Sequence, residues 1–125
     1  MIVRGPLAMG LLTGKYSSDI TFPEGDFRSA WIEDEAQNAQ FRQDLETVEQ
    51  LKRLVPTEDT MAAFALRFVT SHPAVSSAIP GARNRRQAEA NVAAGSRPAL
   101  TPEEQMAVDS IVAPGGGRKI WPEIT

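Results

Sequence analysis

Three arginines, Arg83, Arg85 and Arg86, crowd one helix start just after the run Ile79-Pro80-Gly81-Ala82. The run reads as a buried strand that ends, then a glycine that lets the backbone turn and come close to a ligand, then a helix that begins. A helix N-terminus offers free N–H groups and partial positive charge, so it suits an anion. Cations placed there oppose the dipole, at about 0.3–1 kcal/mol each when exposed. A bound phosphate removes that conflict, and each charge-assisted contact to it contributes about 1.5–3 kcal/mol. The residues alone leave a plainer reading standing ahead of this one: exposed arginines that solubilise a surface helix.

A second segment, Gly5 to Lys15, is rich in turn formers (Gly5, Pro6, Gly10 and Gly14). Its backbone can approach a ligand, but it has no phosphate-loop pattern. Leu7, Leu11 and Leu12 read mainly as packing residues. His72 is the only histidine and there is no cysteine, so an ordinary zinc site cannot be assembled. Ser71-His72 is not a triad, because neighbours in sequence do not thereby face each other as nucleophile and base. Tyr16, the only tyrosine, is a poor candidate acid for carbonyl reduction, since geometry must come before any pKa argument. No catalytic residue and no metal ligand is assigned.

The elements that must position these residues follow from pattern. Met1-Ile2-Val3 reads as the last few residues of a strand, ended by Gly5-Pro6. Residues 17–40 are expected to form one long loop, with Phe22, Phe27 and Trp31 packing onto a neighbour or a ligand. Phe41, Leu45, Val48, Leu51 and Leu54 recur at helical spacing, and Pro56 stops that helix. A second helix is expected after Thr57, with Glu58 and Asp59 in its first turn; Met61 to Val69 is apolar on nearly every side. His72-Pro73 ends it. Ala74 to Ile79 reads as a buried strand. A third helix runs from about Asn84 to Ala94, with Asn84 as cap and Gln87 completing a variant capping box. Thr101-Pro102-Glu103-Glu104 opens a fourth. Residues 114–125 are expected to be a flexible tail.

The chain of 125 residues fits one domain, and 42% apolar residues is ordinary for a globular protein. A net charge of −3 gives no basic footprint, which argues against nucleic acid. No apolar run approaches the ~18 residues that a membrane span needs, and no signal-peptide pattern is present. Lack of cysteine suits a cytoplasmic location.

The two motifs in this order, Pro6-Leu7-Ala8-Met9-Gly10-Leu11-Leu12-Thr13-Gly14-Lys15-Tyr16 and then Ile79-Pro80-Gly81-Ala82-Arg83-Asn84 with Gln87 and Asn91, resemble the C-terminal part of an aldo-keto reductase. The likeness spans nearly all of residues 2 to 112. It implies an α/β fold, the C-terminal portion of a (β/α)8 TIM barrel from the end of the seventh strand through the eighth strand and terminal helices. The chain is then a single partial domain, an incomplete barrel over residues 1–125. The implied cofactor is NADP(H). The resemblance puts Arg83 or its backbone at the 2′-phosphate, and Gln87 and Asn91 at the adenosine. Ile79, Pro80 and Gly81 line the same pocket, while the stretch with Gly5 and Leu7 wraps the pyrophosphate. Three departures stand out. Gly5 replaces a frequent serine, losing a hydroxyl contact, Ala90 replaces a frequent glutamate that holds the adenine, and Arg86 replaces a frequent acid.

Aldo-keto reductases reduce carbonyls by hydride transfer, with a tyrosine acid tuned by lysine, aspartate and histidine. Those groups belong to earlier strands, so the resemblance maps none of them here. The expected function is therefore a cofactor-binding segment of a carbonyl-reducing oxidoreductase, inactive alone. The alternatives are a non-catalytic module for self-association or for complementation with an N-terminal barrel fragment, and a truncated remnant. Two strands with bare edges, and an apolar helix around Phe64 and Phe68 lacking neighbours, are expected to recruit partners, aggregate or stay partly molten.

Overall fold

A computed structural model describes residues 1–112. The element order is β1 (Ile2–Arg4), 3-10 turns at Ala8–Thr13 and Phe27–Ser29, α1 (Ala30–Glu33), α2 (Glu35–Lys52), α3 (Met61–Ser71), β2 (Ser77–Ile79), α4 (Arg85–Gly95) and α5 (Pro102–Ile111). The tail expected at 114–125 lies outside the described residues.

β1 and β2 pair in parallel, Ile2 with Ser77, Val3 with Ala78 and Arg4 with Ile79. Parallel strands need a long crossover, supplied here by the helices between them. The chain therefore has α/β content with a small two-stranded sheet among the described residues. The N-terminal ammonium donates to the Ala74 carbonyl at 2.8 Å, and Ser76 N–H donates to the Met1 carbonyl at 2.8 Å, fixing the start of the pairing.

The core sits between helices. Val48 and Leu51 of α2, Met61 and Phe64 of α3, Leu100, and Val108 of α5 form one buried cluster. Leu11, Trp31 and Phe41 form a second. Helical spacing in α2 thus buries Phe41, Val48 and Leu51 on one stripe. Each buried aliphatic or aromatic side chain contributes about 1.5–3 kcal/mol of transfer free energy.

Four expectations need correction. The long loop at 17–40 is much shorter, because the chain is helical over Phe27–Glu33 and again from Glu35. Asp26 accepts the Arg28 N–H at 2.9 Å, and Asp34 caps α2 by accepting the Gln37 N–H at 2.9 Å. Helix α3 starts later than Thr57. Thr60 is its cap, and Asp59 is occupied elsewhere, its carboxylate meeting Arg67 at 3.0 Å and Arg97 at 2.5 Å. The strand expected over 74–79 is shorter and not buried. Val75 N–H closes a turn onto the His72 carbonyl at 2.9 Å, so the strand itself begins only at Ser77, and Ile79 is 59% exposed. Finally, α3 does have neighbours: Phe64 is buried in the core, although Phe68 remains 37% exposed.

Asn84 and the Thr101–Glu104 pair cap as expected, but the variant box with Gln87 does not close, because the Gln87 Oε1 accepts the Arg83 N–H and not that of Asn84. Asn84 accepts the Gln87 N–H at 2.9 Å at the start of α4, and Thr101 and Glu104 form a reciprocal capping box on α5.

Candidate anion and cofactor site at the carboxyl edge of the sheet

Parallel pairing gives both motifs a common exit. Since Arg4 lies opposite Ile79, the chain leaves both strands at the same edge, with Gly5-Pro6-Leu7 beside Pro80-Gly81. Adjacent strands are about 4.8 Å apart, so the two turns are neighbours. Ligands of parallel α/β sheets sit at this carboxyl edge.

Gly5 takes φ +67°, a backbone conformation open to glycine, and a Cβ added there would meet nothing within 4 Å. A Cβ at Gly81 would likewise meet nothing within 4 Å, so open space borders both turns. Pro6 is buried and Leu7 half-buried, anchoring the first turn, while Ile79, Gly81 and Arg83 are exposed. An exposed guanidinium and a helix N-terminus, bordered by two open glycine turns, make a site suited to an anion.

Gln87 and Asn91 are turned toward the protein. The Gln87 Oε1 accepts the Arg83 backbone N–H at 2.8 Å, and Asn91 Nδ2 donates to the Gly81 carbonyl at 3.2 Å. Together they fix the path of the Ile79–Arg83 turn. The cap and the site roles of Gln87 are divided between atoms: its backbone N–H serves Asn84 and its side chain serves the turn. Arg85 pairs on the surface with Glu89, Nε to Oε1 at 2.6 Å, so it is partly neutralised within its own helix. Arg86 is exposed.

Sequence reasoning missed a cluster next to this site. Arg28 donates from Nε to Asp26 Oδ1 at 2.9 Å and from Nη2 to Oδ2 at 2.5 Å. Its Nη1 donates to the Tyr16 hydroxyl at 2.6 Å, and that hydroxyl donates to the Met9 carbonyl at 2.9 Å. The Arg28 hydrogen bonds, above all the side-chain one, bring the Asp26 carboxyl down to about 2, with a further small pull from the charge of Arg83. Asp26 raises Arg28 in return. The only local cue was Pro23-Glu24-Gly25-Asp26, a turn sequence that closes on a capping acid.

The other tempting residues have structural partners. Nδ1 of His72 accepts the Ala74 N–H at 3.1 Å, and the Ser71 hydroxyl accepts the Leu100 N–H at 2.8 Å. Tyr16 is committed to Met9 and Arg28. No helix among the described residues is long and apolar enough to cross a membrane.

The model of the aldo/keto reductase family matches residues 1–113. Among curated proteins, the aldo-keto reductase YhdN of Bacillus subtilis (strain 168) is 33% identical over 91 residues, covering 71% of this chain and 27% of that protein. Among solved structures, the glycerol dehydrogenase AKR11B4 from Gluconobacter oxydans superposes with a TM-score of 0.75 at 35% identity, over 90% of this chain and 33% of that one. The holo form of the aldo-keto reductase AKR11C1 from Bacillus halodurans gives a TM-score of 0.56 at 25% identity, over 88% of this chain and 32% of its own. The chain thus spans about a third or less of the length of these relatives.

Proposed function

Since the chain belongs to the aldo/keto reductase family, we propose that it is the NADP(H)-binding segment of a carbonyl-reducing oxidoreductase. It corresponds to the C-terminal portion of the (β/α)8 barrel, from the end of the seventh strand through the eighth strand and terminal helices. The observation that carries this reading is the parallel register of β1 and β2, which brings Gly5-Pro6-Leu7 and Ile79-Pro80-Gly81 to one edge beside Arg83. The holo form of the Bacillus halodurans relative supports a bound cofactor in such a fold.

In this reading Arg83 holds the 2′-phosphate, with Ile79, Pro80 and Gly81 lining the pocket. Gln87 and Asn91 set the turn and offer their remaining amide atoms to the adenosine. Gly5 and Leu7 border the pyrophosphate. When bound, the nicotinamide supplies the hydride. The chain's own residues bind and orient; a cytoplasmic setting belongs to the same reading, and no proton-transferring residue is assigned.

The test is titration with NADPH and NADH while circular dichroism is recorded. Saturable binding that favours NADPH is expected. Arg83→Ala should remove the preference, lowering NADPH affinity about 10-fold or more with little change for NADH, as lost charge-assisted contacts do. An equal loss for both cofactors sinks the 2′-phosphate assignment.

A second reading is favoured by specific exposures: Ile2 in β1 at 66%, Ile79 in β2 at 59% and Phe68 in α3 at 37%. The chain would then act as a complementing module, its strand edges paired by an N-terminal barrel fragment or by a second copy. Co-purification with the N-terminal portion of a relative checks the first partner; a monomer by light scattering that gains nothing from that portion eliminates both.

A further inference from the structure

Ala8 and Met9 have φ of +49° and +55°, and Gly10 follows at +96°. Side-chain-bearing residues persist in left-handed backbone only where their surroundings over-determine it, and such positions cluster at ligand clamps. Here the surroundings are specific. The Met9 carbonyl accepts the Tyr16 hydroxyl at 2.9 Å and Arg28 Nη1 at 3.4 Å. Because Arg28 also donates to that hydroxyl at 2.6 Å, the hydroxyl proton is directed at Met9. Asp26 takes both bonds of the Nε–Nη2 edge of the guanidinium, and the Phe22 ring lies 4.8 Å beneath its carbon. Phe22 also meets the Tyr16 ring edge-on at 5.6 Å.

The tyrosine hydroxyl lies against the backbone so closely that a Cβ on Gly10 would collide with it. The bonds behind it complete the turn: Gly10 N–H and Leu12 N–H both donate to the Leu7 carbonyl, at 3.0 and 3.1 Å. The Gly5–Leu12 backbone therefore takes one path beside the end of β2, set by side chains that the cofactor reading does not use.

We propose that Tyr16 and Arg28 are positioning residues: they lock the left-handed Ala8–Gly10 turn so that the Gly5–Leu11 backbone is preformed for a dinucleotide pyrophosphate. The ligand in this statement rests on the cofactor reading above; the lock itself does not. A pyrophosphate is common to NADPH and NADH, so this device serves both cofactors equally. It differs in that respect from Arg83, whose role discriminates between them.

Hydrogen exchange of the whole chain, together with NADPH and NADH titrations, tests the two parts separately. In Tyr16→Phe, amides of Gly10, Leu12 and Gly14 should exchange about 3- to 10-fold faster while those of α3 stay unchanged. Affinity for NADPH and NADH should fall by the same factor, leaving their ratio intact. Arg28→Lys keeps the charge but loses the fork on Asp26, and it carries the same expectations if Tyr16→Phe does not fold. Unchanged exchange over residues 8–14 overturns the lock. Faster exchange with unchanged affinities, or a shifted NADPH-to-NADH ratio, overturns the positioning role. If the unaltered chain binds neither cofactor, the cofactor reading falls and takes the pyrophosphate role with it, while the exchange result still decides the lock.

Discussion

Arg67 and Arg83 stand on either side of β2 and meet opposite fates. Arg67 is 7% exposed, yet it is the fully occupied one: Nη1 meets Asp59 at 3.0 Å and Nε donates to the Pro98 carbonyl at 2.9 Å. Arg97 shares the other oxygen of Asp59, whose side chain is 1% exposed. A charge taken from water must be paired and hydrogen-bonded, and this one is. The cluster ties the start of α3 to the linker between α4 and α5. Arg83 is exposed at the positive end of α4, where neither burial nor the helix dipole favours a cation. One arginine holds the fold together; the other is placed at a cost that a bound anion would offset.

Breaking each arginine's environment should separate stability from binding. The largest effect is expected at Asp59. Asp59→Ala leaves Arg67 buried without its partner and should destabilise the fold by about 3–5 kcal/mol in urea unfolding. Loss of under 1 kcal/mol would mean that water reaches Arg67 and that the pair is no structural anchor. Arg83→Ala should leave stability within about 0.5 kcal/mol, as surface changes usually do, while affinity for NADPH falls. If it destabilises as much as Asp59→Ala does, the two arginines are alike and the contrast fails. Next in size is Gly10→Ala, which must adopt φ +96° against the Tyr16 hydroxyl. A loss of about 1–2 kcal/mol is expected in the same unfolding assay; an unchanged midpoint would show that the turn relaxes.

The contrast was half legible in the chain. Some local signals held: Asn84, Thr101 and the stripe from Phe41 to Leu51 each depend on residues within a turn or two of themselves. The order of Pro6–Tyr16 and Ile79–Asn91 carried the family, which the match over residues 1–113 establishes. What could not be read was which distant groups would meet. Asp59 looked like a helix-dipole acid because its true partners, Arg67 and Arg97, are brought to it only by the packing of α3 against the α4–α5 linker. Tyr16, Asp26 and Arg28 looked like loop residues for the same reason. Their common target, the Met9 carbonyl, is a backbone atom with no sequence signature. Gln87 was ambiguous between cap and ligand contact, and its bond to the Arg83 N–H divides that ambiguity between backbone and side chain.

The smallest expected effect separates the two regions by pH. The Asp26 carboxyl is lowered from 3.8 to about 2 in the fold, first by its side-chain hydrogen bond with Arg28. A depressed folded value means that the unfolded state binds the proton more readily. The contribution of Asp26 is therefore complete above the unfolded value, and it shrinks as pH falls from about 4 toward 2. Below that range Arg28 loses its anionic partner, and the 17–29 segment should loosen first. Phe22 and Tyr16 ring resonances followed by NMR from pH 5 to pH 2 should shift in that window, ahead of the core signals of Phe64 and Val108. Asp26→Asn should show the loosened Phe22 and Tyr16 signals already at pH 5 and no transition below it. Core and segment signals that move together in both proteins would show that the Asp26–Arg28 pair belongs to the global fold, and the distinction between a structural and a site-facing arginine environment would not extend to Arg28.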